Sequence, residues 1–153
     1  MIRFGLTFAF FSIILDQISK YIIMDYLNGK FETVTSFFKL VYVFNTGISF
    51  SLFSNNVSWM PIIFSLVGFV FVLLLFFWLS KSETRFQATG LGLIIGGALG
   101  NIIDRLVYGA VFDFLDFHLF EYHFPAFNVA DISISLGVII VIMLITTIGF
   151  LGS

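Results

Sequence analysis

The sequence predicts an all-α integral membrane protein, with four transmembrane helices and a small extracytoplasmic β-sheet carried by the first outer loop. Three observations predict it. Of the 153 residues, 59% are hydrophobic, 10% are charged and 23 are phenylalanine, and the mean hydropathy of +1.10 exceeds what a water-soluble core of this length requires. Four apolar stretches, 4–24, 59–79, 86–103 and 132–151, are each long enough to cross about 30 Å of hydrocarbon as a helix of ~20 residues. Between the first two lies 33–44, rich in β-branched and aromatic residues, with the character of short strands rather than flexible linker. Four spans in so short a chain leave room for one membrane-embedded domain, residues 1–153.

The first span holds Asp16, Gln17 and Lys20 and is followed by no small-residue cleavage pattern, so it reads as a retained helix and not a secretory signal. The loop after it carries the strand-like run and then 45–53, which is too apolar for full solvation and reads as dipping into the membrane interface. The second span has no ionisable residue between Ile62 and Phe77. In the third, Gly92, Gly96 and Gly100 recur every four residues, which stacks them on one helical face and permits close helix approach. Asn101, Asp104 and Arg105 follow at spacings of three and four, so the same helix delivers a polar cluster to one surface. The fourth span begins just after Asn128 and Asp131, with Asn128 positioned to cap it and Asp131 in its first turn.

Arg3, Lys81 and Arg85 fall on one side of the membrane, and Lys20, Lys30, Lys39 and Arg105 on the other. Lys20 and Arg105 stand beside acids at helix ends. Discounting them puts both termini in the cytoplasm, with both longer loops outside. The chain has no cysteine, which excludes disulfides, a thiol nucleophile and cysteine-bound metal. Its formal net charge of −2 argues against a nucleic-acid partner.

Each intramembrane charge has a structural and a functional reading. Asp16 and Lys20, four apart, suit a helical ion pair that simply neutralises itself, and equally suit support of a polar site. Asp104 and Arg105 read as an ion pair or interfacial anchor, or as part of that site. Asp131 is explained by helix-terminus chemistry or by catalysis. Asp113 stands in Val111-Phe112-Asp113-Phe114-Leu115 without a cation in sequence, and Asp116 reads as a solvated loop residue. If Asp113 and Asp131 meet in a low-dielectric groove, they cannot both ionise readily, so the pair keeps one proton: one base to activate water, one acid for a carbonyl.

Other catalytic patterns are thinner. His118 and His123 lack the i, i+4 zinc spacing and read as exposed loop histidines. Neither a Gly-x-Ser-x-Gly motif nor a Ser-Lys pattern suited to a nucleophile and its base is present, and glycine-rich 90–100 lacks the ending of a phosphate loop. A transporter or channel-like binding protein is the opposing class. It would spread polar residues across the bilayer, whereas here they collect at one end of the predicted spans.

Several ordered segments resemble the lipoprotein signal peptidases, or signal peptidase II, of bacterial membranes. Asp16-Gln17-Ile18-Ser19-Lys20 resembles the family's first-helix motif, and Asn45-Thr46-Gly47-Ile48-Ser49-Phe50 its first-loop motif. Gly96-Gly97-Ala98-Leu99-Gly100-Asn101-Ile102-Ile103-Asp104-Arg105 resembles its third-helix motif. Gly109-Ala110-Val111-Phe112-Asp113-Phe114 and Pro125-Ala126-Phe127-Asn128-Val129-Ala130-Asp131 resemble the two segments bearing its catalytic aspartates. The resemblance implies an aspartyl endopeptidase that cleaves prolipoproteins immediately before a diacylglyceryl-modified cysteine. Asp113 and Asp131 would be its dyad. Asn45, Gly47, Asn101, Arg105 and Asn128 would bind substrate or shape the site, and Asp16 and Lys20 would support it. No metal or organic cofactor is implied. The expected setting is the bacterial inner membrane, with a monomeric chain, lipids around it and the site near the outer surface. In two departures, Ile48-Ser49 stand where the family usually has two alanines, and Phe44 where it commonly has arginine. The aromatic segment 114–127 reads as a loop, serving as a lid over the lipid or as an interfacial anchor.

Overall fold

In the computed structural model, which describes residues 1–47 and 59–151, the four expected spans form helices α1 (Ile2–Leu27), α2 (Met60–Ser80), α3 (Arg85–Tyr108) and α4 (Val129–Leu151). Each is long and apolar enough to cross a membrane. The part of the first-loop reading that falls on 48–58 lies outside the described residues.

α3 is the axis of the bundle. Of its apolar stretch, 61% is buried within the protein, against 22% for each of the other three helices. Glycine makes this possible on two faces. Toward α1, a Cβ on Gly92 would collide with the Gly5 carbonyl, one on Gly96 would lie 2.5 Å from Ala9 O, and one on Gly100 would lie 2.5 Å from Asp16 Oδ2. Toward α4, Gly90 and Gly97 meet the backbone of Gly137 and Ala130. Helix association inside lipid relies on such close packing, because the tails are as apolar as the side chains and offer no hydrophobic drive. The remaining faces carry exposed Phe10, Leu15, Leu66, Phe77 and Ile142, as contact with hydrocarbon demands.

The helices are stopped by local chemistry. α1 ends at Asn28 with φ 45°, followed by Gly29 at φ 82°. Thr84 caps α3 by accepting from Gln87 N–H at 3.1 Å, and Gly109, at φ 72°, ends it by donating to Arg105 O. That left-handed turn sends the chain from α3 directly into a strand.

The sheet is larger than the sequence suggests. β1 (Glu32–Thr35) and β2 (Phe38–Asn45) come from the first loop, as expected, but β3 (Val111–Leu119) and β4 (Tyr122–His123) come from the second. The antiparallel order is β1-β2-β3-β4. Segment 114–127 is therefore mostly hairpin and not loop. The physical reason is that so apolar a segment at a membrane surface must pair its own N–H and C=O groups, and β2 offers the edge. Asp116 is accordingly buried at 8% exposure and not solvated. His118 and His123 are cross-strand partners, with His118 half-buried.

Candidate active site

The C-terminal parts of α1 and α3, the start of α4 and strands β2 and β3 converge, and their polar residues form one network. Lys20, buried near the end of α1, makes ion pairs with Asp16 at 2.8 Å and with Asp104 of α3 at 2.9 Å. Its Nζ also donates to Asn101 Oδ1 at 3.2 Å. Asp104 thus pairs across the helices with Lys20 rather than with its neighbour Arg105. Its other links are Phe112 N–H at 3.0 Å and the Gln17 amide at 3.0 Å, so it fastens β3 to the bundle. Asp16 in turn accepts from Ala130 N–H at 2.8 Å, in the first turn of α4.

Asp113 and Asp131 are joined through amides. The Asn128 side chain donates to Asp113 Oδ1 at 2.7 Å, while its backbone N–H donates to Asp131 Oδ2 at 3.1 Å. The Asn128 Oδ1 receives Asp131 N–H at 3.0 Å, a reciprocal cap of the kind that satisfies free donors at a helix start. Asn101 Nδ2 donates to Asp131 Oδ1 at 2.9 Å, and Asn45 Nδ2 to Asp113 Oδ2 at 3.0 Å. Gly47 joins at one remove: its N–H, at φ 80°, donates to Asn45 Oδ1 at 2.8 Å.

Register explains how Asn45 reaches the site. β2 and β3 pair Val43 with Asp113 and Asn45 with Val111, so Asn45 is diagonal to Asp113, within reach of a polar side chain. Arg105 donates from Nη1 to Asn101 O at 3.2 Å. Its buried Nε has no partner among the described residues, which leaves donors for an incoming acceptor.

The two carboxylates differ in environment. Asp113 lies on β3, outside the spans, with 3% exposure. Burial pushes its pKa up to about 6; the Asn45 amide opposes this, the Asp131 charge adds to it, and Asn128 and Lys20 oppose it in turn. Asp131 is less buried and lines a groove of about 410 Å³ with Phe124, Phe127, Ile132, Ser135 and Leu136. One protected carboxyl and one facing an apolar groove suit an acid–base pair.

Residues 8–147 match the family described as signal peptidase (SPase) II. The chain belongs to that family. The lipoprotein signal peptidase of Burkholderia cenocepacia is 46% identical over 132 residues, covering 85% of this chain and 80% of that protein. That of Tolumonas auensis is 44% identical over 139 residues, covering 88% and 85%. Two solved structures, described as bacterial membrane enzymes determined in meso at 1.9 and 2.3 Å resolution, are similar throughout. Their TM-scores are 0.81 and 0.80 at 32% and 31% identity, covering 95% and 96% of this chain and 94% and 90% of theirs. This signal peptidase II is thus a multi-pass bacterial membrane protease, and its eight expected polar site residues lie in one connected network. Gln17 and the backbone N–H groups of Phe112 and Ala130 went unassigned in the sequence. Gln17 had a signal, since it stands between Asp16 and Lys20, the two charged residues of the predicted first span.

Proposed function

We infer that the protein removes signal peptides from bacterial prolipoproteins, hydrolysing the bond before a diacylglyceryl-modified cysteine with Asp113 and Asp131 as its catalytic dyad. The observation that carries this reading is that Asn128 donates to both carboxylates, which fixes them about one residue's amides and beside an apolar groove. Asp131 takes a proton from water as the hydroxyl oxygen attacks the scissile carbonyl carbon. Asp113 gives its proton to the carbonyl oxygen, forming a tetrahedral diol without a covalent enzyme intermediate. Collapse of the diol breaks the C–N bond, the amine leaves with the proton held by Asp131, and Asp113 regains its own. Arg105, with donors to spare, and Asn45 hold peptide carbonyls in register. Asp16, Lys20, Asn101 and Asn128 fix the aspartates, and Gly47 fixes Asn45. The groove beside Asp131 takes the lipid-bearing segment laterally from the bilayer.

In this reading residues 1–153 act as one monomeric peptidase domain in contact with membrane lipids. Both termini face the cytoplasm and the dyad lies near the outer surface, as the Lys and Arg distribution favours. A transport role has less support, because the polar network is confined to one end of the bundle. The test is cleavage of a diacylglyceryl-modified prolipoprotein by the parent, Asp113→Asn and Asp131→Asn, with insertion checked in each. An active parent beside two inactive variants supports the dyad. Turnover by either variant at the parent's rate would refute it.

A further inference from the structure

A second cluster of chemistry-bearing side chains lies on the sheet, away from the dyad. Asp116 and His118 stand two apart on β3 and so share a face of the sheet. His123 on β4 is the cross-strand partner of His118, and the two imidazoles stack with centroids 4.9 Å apart and planes 15° from parallel. His123 Nδ1 lies 2.9 Å from both carboxylate oxygens of Asp116. One ligand atom from each of the three residues lies within 4.8 Å of the others.

A His–Asp pair alone leaves this arrangement incomplete. His118 Nδ1 is buried and has no hydrogen-bond partner among the described residues, and a buried polar atom in that position calls for an explanation. Its backbone is held, because His118 N–H donates to Phe37 O at 2.9 Å, so the imidazole cannot simply swing away with the strand. A cation held at the nitrogen edge of the rings, beside Asp116, would give the nitrogen a partner.

We propose that Asp116, His118 and His123 form a binding site for a divalent transition-metal ion of the zinc class, which clips β4 to β3. Two imidazoles and one carboxylate suit Zn²⁺, Ni²⁺ or Cu²⁺, whereas Ca²⁺ and Mg²⁺ demand oxygen ligands. Metal–ligand bonds of about 2.0–2.2 Å put neighbouring tetrahedral ligands about 3.3 Å apart. The His123–Asp116 pair is already near that spacing, and the His118 nitrogen closes the remainder by side-chain rotation. The cluster is buried on its Asp116 side and open at His123, whose side chain is 45% exposed, so an ion enters from water and water completes its coordination.

The clip has a structural consequence. β4 is two residues long and is joined to β3 by two cross-strand pairs, too little for a hairpin to be rigid unaided. Phe124, the next residue, lines the groove that contains Asp131. An ion on His123 therefore stiffens one wall of that groove.

The test is calorimetric titration of tag-free, EDTA-treated protein in nanodiscs with ZnCl₂, alongside His118→Gln, His123→Gln and Asp116→Asn. Metal-free thermal unfolding identifies the variants that fold as the parent does, and His123→Gln, altering an exposed ring, keeps the comparison open if the others do not. The expected result is one Zn²⁺ per chain, affinity at least ~10-fold weaker in each folded variant, and a Co²⁺ absorption spectrum of a nitrogen-ligated, low-symmetry centre that the variants lose. A parent that binds no Zn²⁺, or His123→Gln binding it as tightly as the parent, overturns the site.

Discussion

The side-chain amide of Asn128 donates to Asp113 at 2.7 Å, while the same side chain's Oδ1 accepts Asp131 N–H at 3.0 Å and so caps the helix that carries Asp131. One position therefore sets both the spacing of the carboxylates and the start of α4. Asn128→Ala removes the cap, worth about 1 kcal/mol, and leaves Asp113 without its closest donor. Cleavage is expected to fall by about 10²-fold or more, in line with loss of one preorganised polar contact, while the protein still inserts. Steady-state cleavage with thermal unfolding on the same samples separates the two effects; intact activity beside lowered stability would reduce Asn128 to a cap.

Lys20 compensates two carboxylates at once, Asp16 and Asp104, with all three side chains at most 4% exposed. Lys20→Met strands both acids in a low-dielectric interior, and breaking a buried pair in this way costs about 3–5 kcal/mol. The double variant Lys20→Met/Asp104→Asn should recover part of that loss, because only Asp16 is then left uncompensated. Denaturation in mild detergent reads the difference, and a double variant no more stable than the single one would argue against the shared cation.

Glycine positions on the helices divide by what they meet. A Cβ at Gly96 faces the Ala9 backbone oxygen at 2.5 Å, whereas one at Gly68 meets only the end of the Ile102 side chain at 3.2–3.3 Å. Backbone cannot step aside and a side chain can, so Gly96→Ala is expected to destabilise by about 1–3 kcal/mol or more and Gly68→Ala to be close to neutral. Gly96→Ala should also lower activity, since separating α1 from α3 pulls Lys20 off Asn101. Melting curves of the two variants side by side decide it.

The spans and the polar residues of the site were legible because membrane physics writes them plainly: long apolar runs, and rare charges at their ends. Asn128 as cap and the glycine face of α3 followed from spacing alone. The second half of the sheet was not legible. Phe112, Phe114 and Phe117 alternate with Asp113 and Asp116 in an irregular way, and nothing local reveals that β2, nearly 70 residues earlier, supplies the pairing edge. The same long-range pairing decides that Asp116 is buried, and that His118 faces His123 rather than water. Likewise, the charge of Asp104 invited pairing with adjacent Arg105, and only the packing of α1 on α3 assigns it to Lys20.

Asp113 lies outside the membrane spans, and burial holds its pKa near 6 instead of 3.8. Its folded carboxyl keeps a proton that the unfolded chain has released, so its contribution to stability is present below 3.8 and is lost as pH rises toward about 6. The neighbours that move this value act with known signs: the Asp131 charge raises it, and the Asn45 amide lowers it. Asp131→Asn should therefore shift the Asp113 titration downward and Asn45→Ala should shift it upward. Infrared difference spectra of the carboxyl band, recorded against pH in the parent and both variants with Asp113→Asn to assign the band, measure the midpoints directly. A midpoint unmoved by Asp131→Asn would mean that the two carboxylates titrate independently, and the proton exchange on which the proposed hydrolysis depends would lose its basis.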